Sequence, residues 1–404
     1  MDHWHATLME SSHIGPFLDA NVQRNQYLSE YALHRSLLQY PHRVRSPELA
    51  DFFYVPFYAR LAYADKKASK HVRRLQHNIT SALYTCLRHS TWWRRSRGRD
   101  HFASMSSTRD PKKLFGDAWP LLKRGVMLRI EAADERYRGT SKSAVARANR
   151  IALVGRRRRH SPGRSHARSP GRSLGRADSS DEALAASGTL VVPYYVPHFA
   201  ADDAVRPTDK RHSVCFFGSA TNRIRRQAVA ALSRLPDAAL ALAAAERFNA
   251  SADARSFERR RTLATRHRLR KCKLCLVPAG MTPSSRRFYE AIVAKCVPLL
   301  LADKFIPAFT HLLPLDQYVV RAPQSTPDVL PAVVAEALRR WPTLYEGLQA
   351  ARPAFVYNLG LPVEGGGGPM CDAASAILSE LAARFAERSA QTASRSTCLA
   401  GPAC

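Results

Sequence analysis

Acidic residues are scarce in this chain. Asp and Glu number 33 against 62 Lys and Arg, giving a formal net charge of +29. A surface this basic disfavours cationic partners and favours anions: nucleotide sugars, acidic polysaccharide, membrane headgroups or nucleic acid. Also missing is any run of eighteen apolar residues, which excludes a transmembrane helix from this sequence. The opening MDHWHATLMESSH lacks the charged start, apolar centre and small-residue cleavage site of a signal peptide. Of the eight cysteines, Cys272 and Cys275 form C-x-x-C, but no second pair stands at zinc-site spacing, which argues against a structural zinc. Which cysteines pair as disulfides is left open by the sequence. No D-x-D metal motif occurs, and the adjacent Asp202 and Asp203 fall in a polar linker, so the sequence itself requires no metal and no cofactor.

What is present is enough for two α/β cores. The chain has 404 residues, 45% of them apolar. Its charge is uneven: residues 136–177 hold thirteen Lys and Arg and no Asp or Glu, leaving sixteen of the excess charges spread over the rest. The same stretch repeats SPGR at Ser161–Arg164 and Ser169–Arg172. It is too charged and too rich in Pro and Gly to fold alone, and it reads as a disordered surface insertion. Its Arg-Ser content also admits an RNA-binding reading. No RNP motif, zinc knuckle or interleaved aromatic pattern supports specific contact with nucleic acid.

The most informative stretch is Lys271–Asp303, KCKLCLVPAGMTPSSRRFYEAIVAKCVPLLLAD. Leu274–Val277 is a short apolar strand run that stops at Pro278. Ala279–Ser285 is a turn-rich loop, Phe288–Cys296 has helical spacing, and Val297–Leu301 is a second buried strand run. A Gly280-containing loop that enters a helix presents free N–H groups and the positive end of the helix dipole. Ser284 or Ser285 can cap that helix. Arg286 and Arg287 then fall in the first turn, where cations oppose the dipole unless an anion is bound there. A diphosphate suits the fork of a guanidinium. Glu290, one turn on, can accept hydrogen bonds from sugar hydroxyls; an ordinary surface Arg–Glu pair is the competing reading.

These residues carry a resemblance. The pattern PxGxTPSSxRxxxAIxxxCVPxxxxD, Pro278 to Asp303, resembles the C-terminal signature of the exostosin-like glycosyltransferases, glycosyltransferase family 47. Three further stretches resemble the same family in the same order: SPELADFFYVPFY at 46–58, the W-x-R…G-R-D-H-F segment ending at Phe102, and SVCFFG at 213–218. Three departures stand out. Met281 replaces an acidic or polar residue, while Lys295 and Arg97 each replace a glycine.

The resemblance implies an α/β fold of GT-B type, two Rossmann-like domains facing a cleft. It implies an inverting enzyme that moves a sugar from a nucleotide sugar donor, expected to be a UDP-sugar, to a glycan acceptor. On this reading residues 1–135 form the acceptor-side domain, 136–187 the insertion and 188–210 the end of that domain and a linker. Residues 211–388 form the nucleotide-sugar domain and 389–404 a disordered tail. Ser285 and Arg287 would contact the diphosphate and Glu290 the ribose, with Gly218, Gly280 and either Arg223 or Arg225 facing the phosphates. Asp100 and His101 are the acid/base candidates of the first half; a structural Asp–His pair holding a turn is the alternative. His198 is a further candidate for the cleft. Golgi residence, membrane association through an N-terminal anchor not seen in this sequence, and a hetero-oligomer with another glycosyltransferase are expectations from the family alone. A catalytically degenerate partner subunit is the competing reading.

Overall fold

The computed structural model describes residues 28–63, 69–131, 188–219, 222–243, 263–280, 282–357 and 372–397. The expected insertion at 136–187 lies outside them.

Two parallel sheets organise the described residues. The first has the order β1-β2-β3-β4, with β1 Phe53–Val55, β2 His101–Met105, β3 Val126–Arg129 and β4 Thr189–Val191. Every pairing is parallel, from Phe53 beside His101 to Arg129 beside Val191. Strands buried on both faces need no alternation, and β2, β3 and β4 are buried at every position.

The second sheet has the order β6-β5-β7-β8-β9: β5 His212–Ser219, β6 Ala239–Ala243, β7 Cys272–Pro278, β8 Val297–Leu301 and β9 Val320–Arg321. Counted from its own first strand this is 2-1-3-4-5, a doubly wound order that reverses between β5 and β7. Crossover helices follow the strands. Helix α1 is Ser29–Leu38, α2 Lys70–His89 and α3 Thr91–Ser96 in the first half. In the second half α4 is Arg223–Leu232, α5 Arg286–Val293, α6 Leu330–Arg339, α7 Trp341–Ala351 and α8 Ala373–Thr397. The last helix runs past the Arg388 at which the sequence reading ends it. No helix among the described residues is long and apolar enough to cross a membrane.

Two disulfides, Cys215–Cys272 and Cys275–Cys296, tie β5, β7 and the entry to β8. The C-x-x-C pair is thereby split between two bridges. Such bonds persist in oxidising compartments.

The halves are sewn together at several points. The Ser29 hydroxyl donates to the Pro193 carbonyl at 3.0 Å and accepts from the Tyr195 N–H at 2.8 Å, fixing α1 to the exit of β4. Helix α8 returns to the first half: Arg384 donates to the Thr189 carbonyl at 2.7 Å, and Phe385 stacks on Phe52. The linker is riveted to the second half. Asp202, fully buried, takes Arg266 at 3.0 Å and Arg270 at 2.8 Å, while Asp203 takes Arg352 at 2.7 Å and His198 at 2.9 Å. His198 is therefore engaged with the linker itself.

The two glycine replacements have a common geometry. Arg97 (φ 55°) and Lys295 (φ 53°) both sit in the left-handed region that favours glycine. Lys295 recovers some of the cost, because its ammonium donates to the carbonyls of Asp203 and Val205 at 2.7 and 3.3 Å. Arg97 is exposed at the end of α3. Arg97→Gly is therefore expected to stabilise the protein by about 0.5–1 kcal/mol. A thermal midpoint higher by roughly 1–2 °C would show it, and a lower one would mean the side chain carries a contact that outweighs the strain.

Candidate functional site

In an open α/β sheet, ligands bind outside the carboxyl ends of the strands where the strand order reverses. Here that point is the gap between the ends of β5 and β7, and most of the anticipated residues meet there.

Gly218 is the second-last residue of β5. A Cβ at this position would fall 3.2 Å from the Arg287 guanidinium and 2.8 Å from the Phe216 ring, so glycine is what lets Arg287 cross the end of the strand. Arg287 donates to the Phe217 carbonyl, and its guanidinium lies 5.2 Å from the centre of the Phe216 ring. Arg225, in the first turn of α4, reaches the same place and donates to the Ser219 carbonyl at 3.3 Å. Its buried Nε has no hydrogen-bond partner among the described residues. Burial, and then the nearby charge of Arg287, pull the Arg225 pKa below its ordinary value. Two guanidiniums brought close enough to repel would both gain from an anion set between them. Arg223, by contrast, is exposed at the first position of α4, so of the two arginines left open by the sequence the fold brings Arg225 to the site. Asn222 caps α4 by accepting the Arg225 N–H at 2.9 Å, and its amide donates to the Ala279 carbonyl at 3.2 Å, joining the two loops.

The loop after β7 delivers α5. Ser285 is its N-cap and accepts the Arg287 N–H at 3.3 Å. Gly280 packs against the Ser284 carbonyl, which a Cβ there would approach to 3.1 Å. Glu290 pairs with Arg286 at 3.2 Å on the same helix. Burial alone would raise the Glu290 pKa, but Arg286, Arg287 and Arg266 together outweigh it and hold the carboxyl below its ordinary value. An ionised carboxylate therefore stands one turn behind the arginines. Further along the same edge, Leu300, Ala302, Asp303, Arg321, Ala322 and Pro323 line an open recess of about 290 Å³ at the ends of β8 and β9.

The first sheet faces this loop with its own carboxyl ends. Ser284 is buried; its hydroxyl meets the Tyr194 hydroxyl at 3.0 Å and its N–H donates to the Glu131 carboxylate at 3.3 Å. Glu131 follows β3 and Tyr194 follows β4, so the two sheets present carboxyl ends to one another across a shared cleft. Sequence reading missed Glu131, which stands at the edge of the charged stretch with no motif around it.

Asp100 and His101 are not brought to this cleft. His101 opens β2, at the amino end of the sheet, and is packed against Phe53 and Trp93 with ring centres at 4.8 and 4.6 Å. Its Nδ1 lies 2.6 Å from Asp100, which also accepts from Ser96 and Arg95. Burial lowers the His101 pKa against the pull of Asp100. This is the geometry of a clamp on the turn at Gly98, whose φ of 81° and contact with the Trp93 indole leave no room for a side chain. Among the described residues, no group of three or more His, Cys, Asp or Glu is placed to hold a metal ion.

A model of the exostosin GT47 domain matches residues 3–336. A "Probable glucuronoxylan glucuronosyltransferase" of Arabidopsis thaliana is 22% identical over 286 residues, covering 69% of this chain and 51% of the relative. A "Probable glucuronosyltransferase" of Oryza sativa subsp. japonica is 21% identical over 317 residues, covering 75% of this chain and 62% of the relative. A "Probable xyloglucan galactosyltransferase" of Arabidopsis thaliana is 33% identical over 84 residues, 21% of this chain and 18% of the relative. The chain thus spans between half and two thirds of the length of these two glucuronosyltransferases.

Proposed function

The chain belongs to the exostosin GT47 family, whose fold is of GT-B type, and from that premise we propose that it is a glycosyltransferase of cell-wall or matrix polysaccharide synthesis. It moves a sugar from a nucleoside diphosphate sugar, with a UDP-sugar as the donor, to a glycan hydroxyl with inversion at the anomeric carbon. The observation that carries this reading is the meeting of Arg225 and Arg287 at the β5–β7 reversal, with the Arg225 Nε unpartnered among the described residues. A departing diphosphate needs positive charge where its own charge grows, and fixed guanidiniums supply it without a metal.

In this reading the diphosphate lies between Arg225, Arg287 and the N-terminus of α5 capped by Ser285. Gly218 and Gly280 keep backbone close to it. Glu290, ionised, accepts the ribose hydroxyls. The recess at Leu300–Pro323 lies along the carboxyl edge from Gly218. Neighbouring strands are about 4.8 Å apart, so it falls within reach of the nucleoside base. Asp100 and His101 hold the β2 turn rather than the acceptor. The two disulfides support residence in an oxidising compartment such as the Golgi lumen.

Binding of a panel of nucleoside diphosphate sugars to the purified protein, followed by calorimetry, tests the reading. Saturable binding of one UDP-sugar, and release of UDP on adding a xyloglucan or xylan oligosaccharide, is the expected result. A folded protein that binds every donor weakly and alike would favour the non-catalytic family member instead.

A further inference from the structure

An inverting transfer needs a base to take the proton of the attacking hydroxyl, and that base must stand on the acceptor side, across the cleft from the diphosphate. Among the described residues, the acidic and histidine side chains near the carboxyl ends of the first sheet can be taken one by one. Glu30 is 1% exposed and spends its carboxylate on the backbone N–H groups of Ser106 at 2.7 Å and Arg60 at 3.2 Å. His34 is buried against Tyr58, with its Nδ1 2.8 Å from the hydroxyl. Asp110 caps a helix by accepting the Lys112 N–H at 3.0 Å. His198 is paired with Asp203 at 2.9 Å. Asp100 and His101 lie at the opposite end of the sheet.

Glu131 is different. It stands two residues past the end of β3, is half-buried, and reaches across the cleft to the residue just before the α5 N-cap. We propose that Glu131 is the general base of the transfer, an assignment that rests on the transferase reading above. Its Oε1 accepts the Ser284 N–H at 3.3 Å, which aims the carboxylate at the donor loop and keeps it beside the place where the anomeric carbon must lie. The Tyr194 hydroxyl, 3.0 Å from the Ser284 hydroxyl, holds that residue from the other side.

The acceptor O–H gives its proton to the Glu131 carboxylate while its oxygen forms the new bond to the anomeric carbon. The bond from that carbon to the diphosphate oxygen breaks on the opposite face. The electron pair leaves with the diphosphate, where Arg225 and Arg287 receive the charge. Glu131 ends as the neutral acid and returns its proton to solvent.

The test compares wild type, Glu131→Gln and Glu131→Asp, using UDP-galactose and UDP-glucuronate as donors and xyloglucan and xylan oligosaccharides as acceptors. Glutamine keeps an oxygen for the Ser284 N–H but cannot take a proton. Expected for Glu131→Gln is a fall in kcat of about 10²–10⁴-fold. Donor Kd should stay the same, which also reports that the variant is folded, and the acid limb of the pH–rate profile should disappear. Glu131→Asp should retain that limb with reduced kcat. Full turnover by Glu131→Gln in a protein whose wild type transfers sugar overturns this assignment alone. So does a shift in donor Kd with kcat unchanged, which would make Glu131 a clamp for the loop. A wild type that binds none of the donors overturns the transferase reading and this one with it.

Discussion

Arg287→Ala should weaken binding of a UDP-sugar by about 10–150-fold, the range expected when hydrogen bonds to a charged group are removed. The side chain crosses the end of β5 over Gly218, anchored on the Phe217 carbonyl and the Phe216 ring. It is therefore held in place before any ligand arrives, and little ordering is lost on binding. Arg287→Lys keeps the charge but not the fork, so it should fall between wild type and alanine. Arg225→Ala should behave like Arg287→Ala, and the double variant should lose less than the sum, since each single removal also relieves repulsion in the empty site. Arg223→Ala, at an exposed position, is the control that should change little. Calorimetry with UDP and with the UDP-sugar at two salt concentrations checks all five. Equal loss in Arg223→Ala and Arg287→Ala would mean that only general surface charge is being read.

Asp202→Asn should destabilise the protein by about 3–5 kcal/mol, because it leaves two guanidiniums facing a neutral amide in a buried place. Asp202 is fully buried, Arg266 is 6% exposed, and both Arg266 and Arg270 are within 3.0 Å. Burial alone would raise the Asp202 pKa; the two arginines outweigh it and lower the value. A carboxyl with a lowered folded pKa stabilises fully above its ordinary range and loses that contribution as pH falls through the lowered value. Wild type should therefore lose stability on the acid side more steeply than Asp202→Asn. Denaturant midpoints measured across acid pH give the comparison, and parallel curves would remove Asp202 from the account.

Much of this architecture could be read from residues, and the part that could not has physical reasons. Val297–Leu301 is legible to within a residue, because its apolar run is bounded by Cys296 on one side and by Ala302 and Asp303 on the other. The site on α5 was legible because a cap, a glycine and two arginines stand in one short stretch. Strand β6, ALALA, was not, since alanine and leucine favour helix and only pairing with β5 makes it extended. Strand β2, HFASM, is hidden because it shows no two-residue alternation of apolar and polar side chains, and with it the fact that His101 begins the strand rather than ending it. That orientation decides on which side of the sheet Asp100 and His101 lie. The cysteine pairing depended on three strands meeting, which no local pattern encodes. Glu131 required the cleft itself to be assembled.

Among the described residues, two places where the chain leaves one half for the other lie side by side. One leaves β4 through Pro193; at the other, the Tyr357 hydroxyl donates to that same Pro193 carbonyl at 3.0 Å, and the Ala373 N–H closes on the Val356 carbonyl at 2.9 Å. A joint pinned twice at one place, and fastened again by Arg384 on Thr189 and by Ser284 on Glu131 and Tyr194, has little freedom to twist. Glu131 and Arg287 are mounted on opposite leaves of such a joint. Their separation is then set by the fastenings themselves, and with it the alignment of proton acceptor and leaving group.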